Sequence, residues 1–299
     1  FGVFACHTGL HPYVSSDVTP NYMWNQRVDY NATTQMWDYT PLLYWPRTID
    51  GLQPYVSFFA YAPYAAEPGT GHTDAERCIV DMSHSVERGD PWLVYQLGGS
   101  ETDWQAHQVD LLYDFRRDQQ QGDHQQRVNF MFRHALASAG DQVRVTTNPK
   151  LRTQLMQACD GTPVSLTLER VTLVYTLLRK GKLSLGSGDT PQWKPVVSET
   201  PTVRRRLDLQ PDGGHMLCTA TSTTTCTVTD YIATDQGIFY IPLTSNDITQ
   251  QVEITLAYHT SLDPATTLTL DAKADLSAVA KANSNCSLHI EIPALDIQW

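Results

Sequence analysis

Apolar and polar positions alternate with a period of two along most of the chain, the pattern of strands with one buried face. The clearest stretches are Val128, Phe130 and Phe132, then Val143 and Val145, then Val252, Ile254, Leu256 and Tyr258. Ile238, Tyr240 and Leu243 make another, and Leu166, Leu168, Val171, Leu173 and Tyr175 make one or two more. Trp92, Val94 and Tyr95 begin a strand, Val109–Tyr113 is a further one, and Leu268 and Leu270 mark a short one. Phe1–Ala5 is apolar from its first residue, as in a chain that enters a sheet there. Helical spacing occurs in two places. Ile79, Met82 and Val86 follow a capping box at Thr73 and Glu76, and Pro149–Cys159 follows Asn148 as cap, with Pro149 in the first turn.

The stretch from Trp37 to Tyr64 holds more aromatic residues than any other of its length. Leu42, Leu43, Tyr44 and Trp45 form one apolar run; Val56, Phe58, Phe59 and Tyr61 form another. Between them Asp50-Gly51 supplies the positive φ angles of a tight turn, and Pro46 and Pro63 close the runs. Two strands buried on at least one face are expected, with Leu43, Trp45, Phe58, Phe59 and Tyr61 in the core. Phe58 and Phe59, being adjacent, should face opposite sides.

Many short strands and few helices predict an all-β sandwich fold. Turns are expected at Lys180-Gly181-Lys182, leading into Leu183 and Leu185, and at Pro211–Gly214. The polar, Gln-rich segment Asp114–Arg127 reads as a boundary between two sandwich domains, 1–122 and 123–299; the alternative is a long hairpin loop inside one domain. No internal repeat is visible.

Composition narrows the class of function. Of 299 residues, 41% are apolar, enough for a core, and the net charge of −11 argues against a nucleic-acid partner. No run is long enough to span a bilayer and no signal peptide is present, although an exported protein would have lost its signal. The six cysteines form no C-x-x-C pair, which disfavours a zinc ribbon or thioredoxin-type site; Cys218 and Cys226 are spaced to bridge a hairpin.

Catalytic motifs are missing: there is no G-x-S-x-G, H-E-x-x-H or Walker A sequence. Gly69-Thr70-Gly71 reads as a surface loop. His7 and His11 lie where a spacing of four does not converge on a metal, and Asp110, Asp114 and Asp118 read as a solvated polar segment rather than a calcium site. His134 follows an apolar strand with no acid–base partner nearby in sequence. Arg204-Arg205-Arg206 reads as an exposed block, able to meet an anion or a trypsin-like protease. Asn31-Ala32-Thr33 matches a glycosylation sequon. A protein that is not an enzyme and carries no cofactor or metal is expected.

Several pieces resemble a known family in order and spacing. They are FGVFA at Phe1–Ala5, NYMWN at Asn21–Asn25, YWP followed by SFFAYAPY at Ser57–Tyr64, VDLLY at Val109–Tyr113 and VNFMFRHAL at Val128–Leu136. Together they resemble the fimbrillins, type V pilus subunits of Gram-negative anaerobes. The resemblance implies two transthyretin-like (Greek-key) β-sandwich domains in series and export to the cell surface, as part of a fimbrium at the outer membrane. It further implies that a trypsin-like maturation protease removes an earlier N-terminal strand, and that copies of the subunit or related pilins join head to tail by strand donation. On that basis Phe1, Val3 and Ala5 are candidates for the groove or first strand. The C-terminal candidates are Leu288, Ile290, Ile292, Leu295, Ile297 and Trp299, which alternate with polar residues around Pro293 within 286–299. The other reading of 286–299 is simply the last strand of the second domain. A second class of function is a pilus-tip adhesin or carbohydrate-binding module with host or bacterial surface ligands.

Overall fold

A computed structural model of the chain describes residues 1–66, 78–122, 127–186, 190–196, 199–243, 248–277, 281 and 284–295. The first strands are β1 (Gly2–Gly9), β2 (Met23–Arg27), β3 (Asp29–Asn31), β4 (Met36–Asp38), β5 (Tyr55–Ala62), β6 (Ile79–Met82), β7 (Trp92–Gln96) and β8 (Leu112–Gln119). After β9 (Arg133–His134) and β10 (Ala137–Thr147), the helix α1 (Pro149–Gln157) leads into β11 (Val164–Leu178), β12 (Lys180–Ser184) and β13 (Gln192–Pro195). The remainder is β14 (Thr202–Leu209), β15 (His215–Ala220), β16 (Cys226–Val228), β17 (Tyr231–Thr234), β18 (Ile238–Tyr240), β19 (Gln251–Thr260), β20 (Asp263–Asp275) and β21 (Asn285–Ile292). The fold class is all-β.

Four sheets carry the fold. The first runs β2-β1-β5-β8-β9 and the second β13-β12-β7-β6. The third is β17-β10-β18, with β21 also on β10; the fourth is β16-β15-β11-β19-β20, with β14 also on β11. β3 and β4 pair only with each other. All described pairs are antiparallel except β10–β21, which is parallel. Pairing crosses residue 122 in both directions: β8 holds β9, and the β12–β13 hairpin at 180–195 pairs with β7.

β5, with the sequence YVSFFAYA, is covered on both faces, which explains its nearly continuous apolar run. Phe59 and Tyr61 enter the main core with Phe4 and Cys6 of β1, while Val56, Phe58 and Ala60 join Val3, Ala5 and Met23 in a second cluster on the opposite face. The main core takes in Leu93 and Tyr95 from the second sheet, Val143 and Val145 from the third, and Leu173 and Leu256 from the fourth. In β11 the buried positions pass from Leu166 and Leu168 to Val171, Leu173 and Tyr175, an even-to-odd change of phase. The ladder to β19 shifts register between Leu168 and Arg170, and this bulge keeps both halves facing the core.

Several local expectations are corrected. Val128, Phe130 and Phe132 alternate but form no strand; β9 begins only at Arg133, and the three side chains pack against the second cluster instead. Leu42–Trp45 is not a strand; Leu43 is 37% exposed and Trp45 is half-buried, so neither belongs to the interior. The run lies between Pro41 and Pro46, neither of which has an N–H to donate to a ladder. Its backbone instead serves side chains: the Tyr44 carbonyl accepts from the Tyr22 hydroxyl at 2.8 Å. Asp50 and Gly51 do have positive φ, 52° and 80°, but the hairpin they close joins only Ile49 and Leu52. The helix expected after Thr73 is replaced, in its described part, by strand β6, whose Ile79 and Met82 pack in the main core. Thr73 and Glu76 themselves, like Gly69–Gly71, lie outside the described residues. Lys180-Gly181-Lys182 is the start of β12 rather than a turn; Gly181 allows the Trp193 ring to lie across it, where a Cβ would come within 2.9 Å.

Candidate functional site

Alternation along β1 points Val3 and Ala5 to one side of the first sheet and Phe4 and Cys6 to the other. The side bearing Val3 and Ala5 is overlain by two passing segments, the β3–β4 hairpin with its Pro-rich continuation and residues 127–132. The Phe1 ring lies among them, 5.1 Å from Trp37, 5.9 Å from Phe130 and 5.4 Å from Phe132 between centroids. Its backbone nitrogen donates to the Val28 carbonyl at 2.9 Å. Trp45 and Tyr22 meet Phe58 edge-on, at 5.8 and 6.3 Å. The cover is incomplete and leaves a cavity of about 420 Å³, walled by Phe1, Val3, Met36, Trp37, Trp45 and Phe130, with Gln35, Arg127 and Asn129 adding polar groups. Trp37 remains 58% exposed and Tyr44, nearby in sequence, 88%. Among the groove candidates, Phe1 and Val3 line this cavity, and Ala5 is buried beneath the same face.

The C-terminal candidates sit at a different place. Leu288, Ile290 and Ile292 are buried and alternate with the exposed His289 and Glu291. They lie in β21, opposite Val143, Val145 and Thr147 of β10 in the parallel ladder. The other edge of β21 has no partner strand among the described residues. Leu295 is buried beyond the strand, its N–H donating to Gln154 Oε1 at 2.9 Å and its carbonyl accepting from Gln154 Nε2 at 2.8 Å. Ile297 and Trp299 lie outside the described residues.

Other singled-out residues acquire partners that their neighbours in sequence do not suggest. The β8–β9 pairing sets His134 opposite Leu112, and this brings His134 Nδ1 to 2.5 Å from Asp110 Oδ2. Asp114 is fully buried, accepting from the Met131 N–H at 2.7 Å and pairing with Arg116 at 3.0 Å and Arg133 at 3.5 Å. Asp118 accepts from the Tyr13 N–H at 2.6 Å. Cys218 and Cys226 lie on one face of β15–β16, two ladder pairs apart, as free thiols; burial pushes the Cys218 thiol up to about 12. Among the described residues no group of three or more His, Cys, Asp or Glu side chains is placed to hold a metal ion, and no helix is long and apolar enough to cross a membrane.

No protein-family model matches the chain. Over 141 residues, 46% of its length, it is 33% identical to fimbrium subunit Fim1C of Phocaeicola vulgatus. Over that stretch the chain is similar to a fimbrium subunit. The match spans 34% of the subunit's own length, about a third. In structure, the chain aligns over 98% and 93% of its length with candidate cell adhesion proteins of Bacteroides uniformis and Bacteroides ovatus, covering 85% and 78% of those chains. Identities are 12% and 14% and TM-scores 0.44 and 0.42.

Proposed function

We propose that the chain is a structural subunit of a cell-surface fimbrium of the type V kind, built of two sandwich units, 1–122 and 123–299, with the β12–β13 hairpin of the second lent to the first. The similarity to a fimbrium subunit is the observation that carries this reading. In it the chain is exported, works at the outer membrane surface and has no catalytic role. Its partners are other copies of itself or related pilins. Assembly proceeds by strand exchange: a trypsin-like protease removes a strand that precedes Phe1, and the segment 286–299 of one copy enters the groove of the next. Two features support the exchange. β21 is amphipathic with period two and, among the described residues, is held by one neighbouring strand, so a foreign sheet edge can replace that neighbour bond for bond. Phe1 and Val3 border an unfilled apolar groove that alternate leucine and isoleucine side chains suit. A head-to-tail contact of this kind does not close on itself and propagates as a filament.

The test is deletion of residues 294–299, which leaves β21 itself intact. Electron microscopy of the protease-treated variant should show no filaments, or only short ones. Filaments of normal length would exclude this tail as the donor.

A second reading is a tip adhesin that holds a carbohydrate. The exposed Trp37 beside a groove rimmed by Gln35 and Asn129 favours it, because sugars stack on aromatic faces and bond to amides. Antibody label at filament tips alone, with glycan-array hits lost in Trp37→Ala, would select this reading over the first.

A further inference from the structure

The run Arg204-Arg205-Arg206 falls within β14, so the middle side chain must point opposite to its neighbours. Arg204 and Arg206 are exposed, near Glu101 at 3.9 Å and Asp208 at 2.8 Å. Arg205 turns inward and is 4% exposed. Its guanidinium donates to three carbonyls, those of Gly98 at 2.8 Å, Leu97 at 3.4 Å and Arg204 at 3.0 Å. Carbonyl dipoles satisfy N–H groups but do not neutralise a charge, and a buried charge without a counter-ion is costly. Among the described residues no carboxylate forms an ion pair with Arg205. Asp103 and Glu101 act on it only from longer range; Asp103 Oδ1 is taken by the Ser100 N–H, and Glu101 lies by Arg204.

A second unpaired cation stands beside it. Arg179 lines the same cleft of about 330 Å³, donating to Thr200 Oγ1 at 2.8 Å. It, too, has no carboxylate partner among the described residues. The remaining wall includes His107, Gln96 and the backbone of Gly98 and Gly99, and no acidic side chain. Two like charges facing one opening repel each other, and burial together with Arg179 pulls the Arg205 guanidinium below its ordinary range, against the opposing pull of Asp103, Cys78 and Glu101.

We propose that the cleft between β7 and β14 is a binding site for a small oxyanion, a carboxylate or a sulfate or phosphate group, held between the guanidinium groups of Arg179 and Arg205. In a molecule whose net charge is −11, two neighbouring guanidinium groups without an ion-pair partner among the described residues give an anionic ligand a reason to settle here. Arginine's planar fork suits either geometry of oxyanion. Val80 and Val203 border the site, so the group is received into a partly apolar recess rather than onto an open surface.

Titration calorimetry with sodium sulfate, sodium phosphate and sodium glucuronate, at constant ionic strength against chloride, tests the assignment and separates carboxylate from tetrahedral anions. Saturable binding of at least one is expected. Arg179→Gln, at a half-buried position, should weaken it by about tenfold or more, the loss of one charge-assisted contact. Arg205→Lys, which keeps the charge but loses the fork, should weaken it too, and Arg206→Gln should leave it unchanged. Circular dichroism melts of each variant confirm folding. The assignment fails if none of the three anions binds saturably to the wild-type chain, if folded Arg179→Gln binds as well as wild type, or if Arg206→Gln loses as much as Arg179→Gln. None of these outcomes bears on filament formation.

Discussion

At the scale of single residues, Phe58 and Phe59 show what adjacent apolar positions in a strand can mean. Phe59 is fully buried in the main core; Phe58 is almost as buried but lies on the other face, beside the open groove. Truncation of Phe59 to alanine should cost about 3–5 kcal/mol in urea denaturation. The same change at Phe58 should cost less, because solvent from the groove can reach the space it leaves. Equal costs would mean that the aromatic cover closes tightly in solution. The opposite facing of this pair was legible from the period of two alone. The fate of Leu43 and Trp45 was not: four apolar residues in a row look alike whether they pair with a strand or lie as a strap, and the flanking prolines were the signal that distinguished the two. His134 illustrates a further blind spot. Its partner Asp110 is 24 positions away and becomes adjacent only through a strand pairing that neither residue reveals.

Elements differ in how much of their cause is local. α1 was legible because its start is written into consecutive residues: Asn148 Oδ1 accepts from the Lys150 N–H at 2.8 Å, and Pro149 occupies a first-turn position that needs no donor. Asn148→Ala should therefore lower stability by about 1 kcal/mol, read as a shift of the urea midpoint with the slope unchanged. A loss no larger than a few tenths would mean that Leu151 and Leu155, packed in the main core, anchor the helix without its cap. The second sheet was illegible for the converse reason. Nothing near Leu183 says that it will lie opposite Leu93, since the partner of a strand is settled by the packing of the whole core. β6 shows the limit of spacing arguments in short segments, where Ile79 and Met82 satisfy a helix and a bulged strand equally well.

For the whole molecule, acid should be the effective denaturant. Thr146 and Arg144 hold the Asp230 carboxyl below its ordinary range, Arg206 and Thr172 do so for Asp208, and the Ser100 N–H does so for Asp103. A carboxyl with a depressed folded-state pKa contributes stability above its unfolded value and loses it as pH falls. The unfolded chain takes up protons first, so stability should decline once pH drops below about 4. Urea midpoints measured from pH 6 to pH 3 should show that decline, and Asp230→Asn should flatten it. A midpoint independent of pH across that range would show that these pairs form no better in the folded chain than in the unfolded one. The fold class was legible at this scale; the strand pairings that cross the polar segment near residue 122, β8 with β9 and β7 with β12, were not, because they join residues far apart in sequence.

The parallel ladder between β10 and β21 gives the molecule a mechanical property. Tension applied through the first sheet reaches β10 at Ala137, immediately after β9. Tension applied from the C-terminal side reaches β21 at Ile292, the opposite end of the paired region. Two parallel strands drawn apart from opposite ends slide along each other, so every hydrogen bond between them is loaded together. An antiparallel pair with both load points at the same end would peel open one bond at a time. Stretched in a single-molecule experiment, the chain should yield in one high-force step at this junction rather than by gradual unzipping.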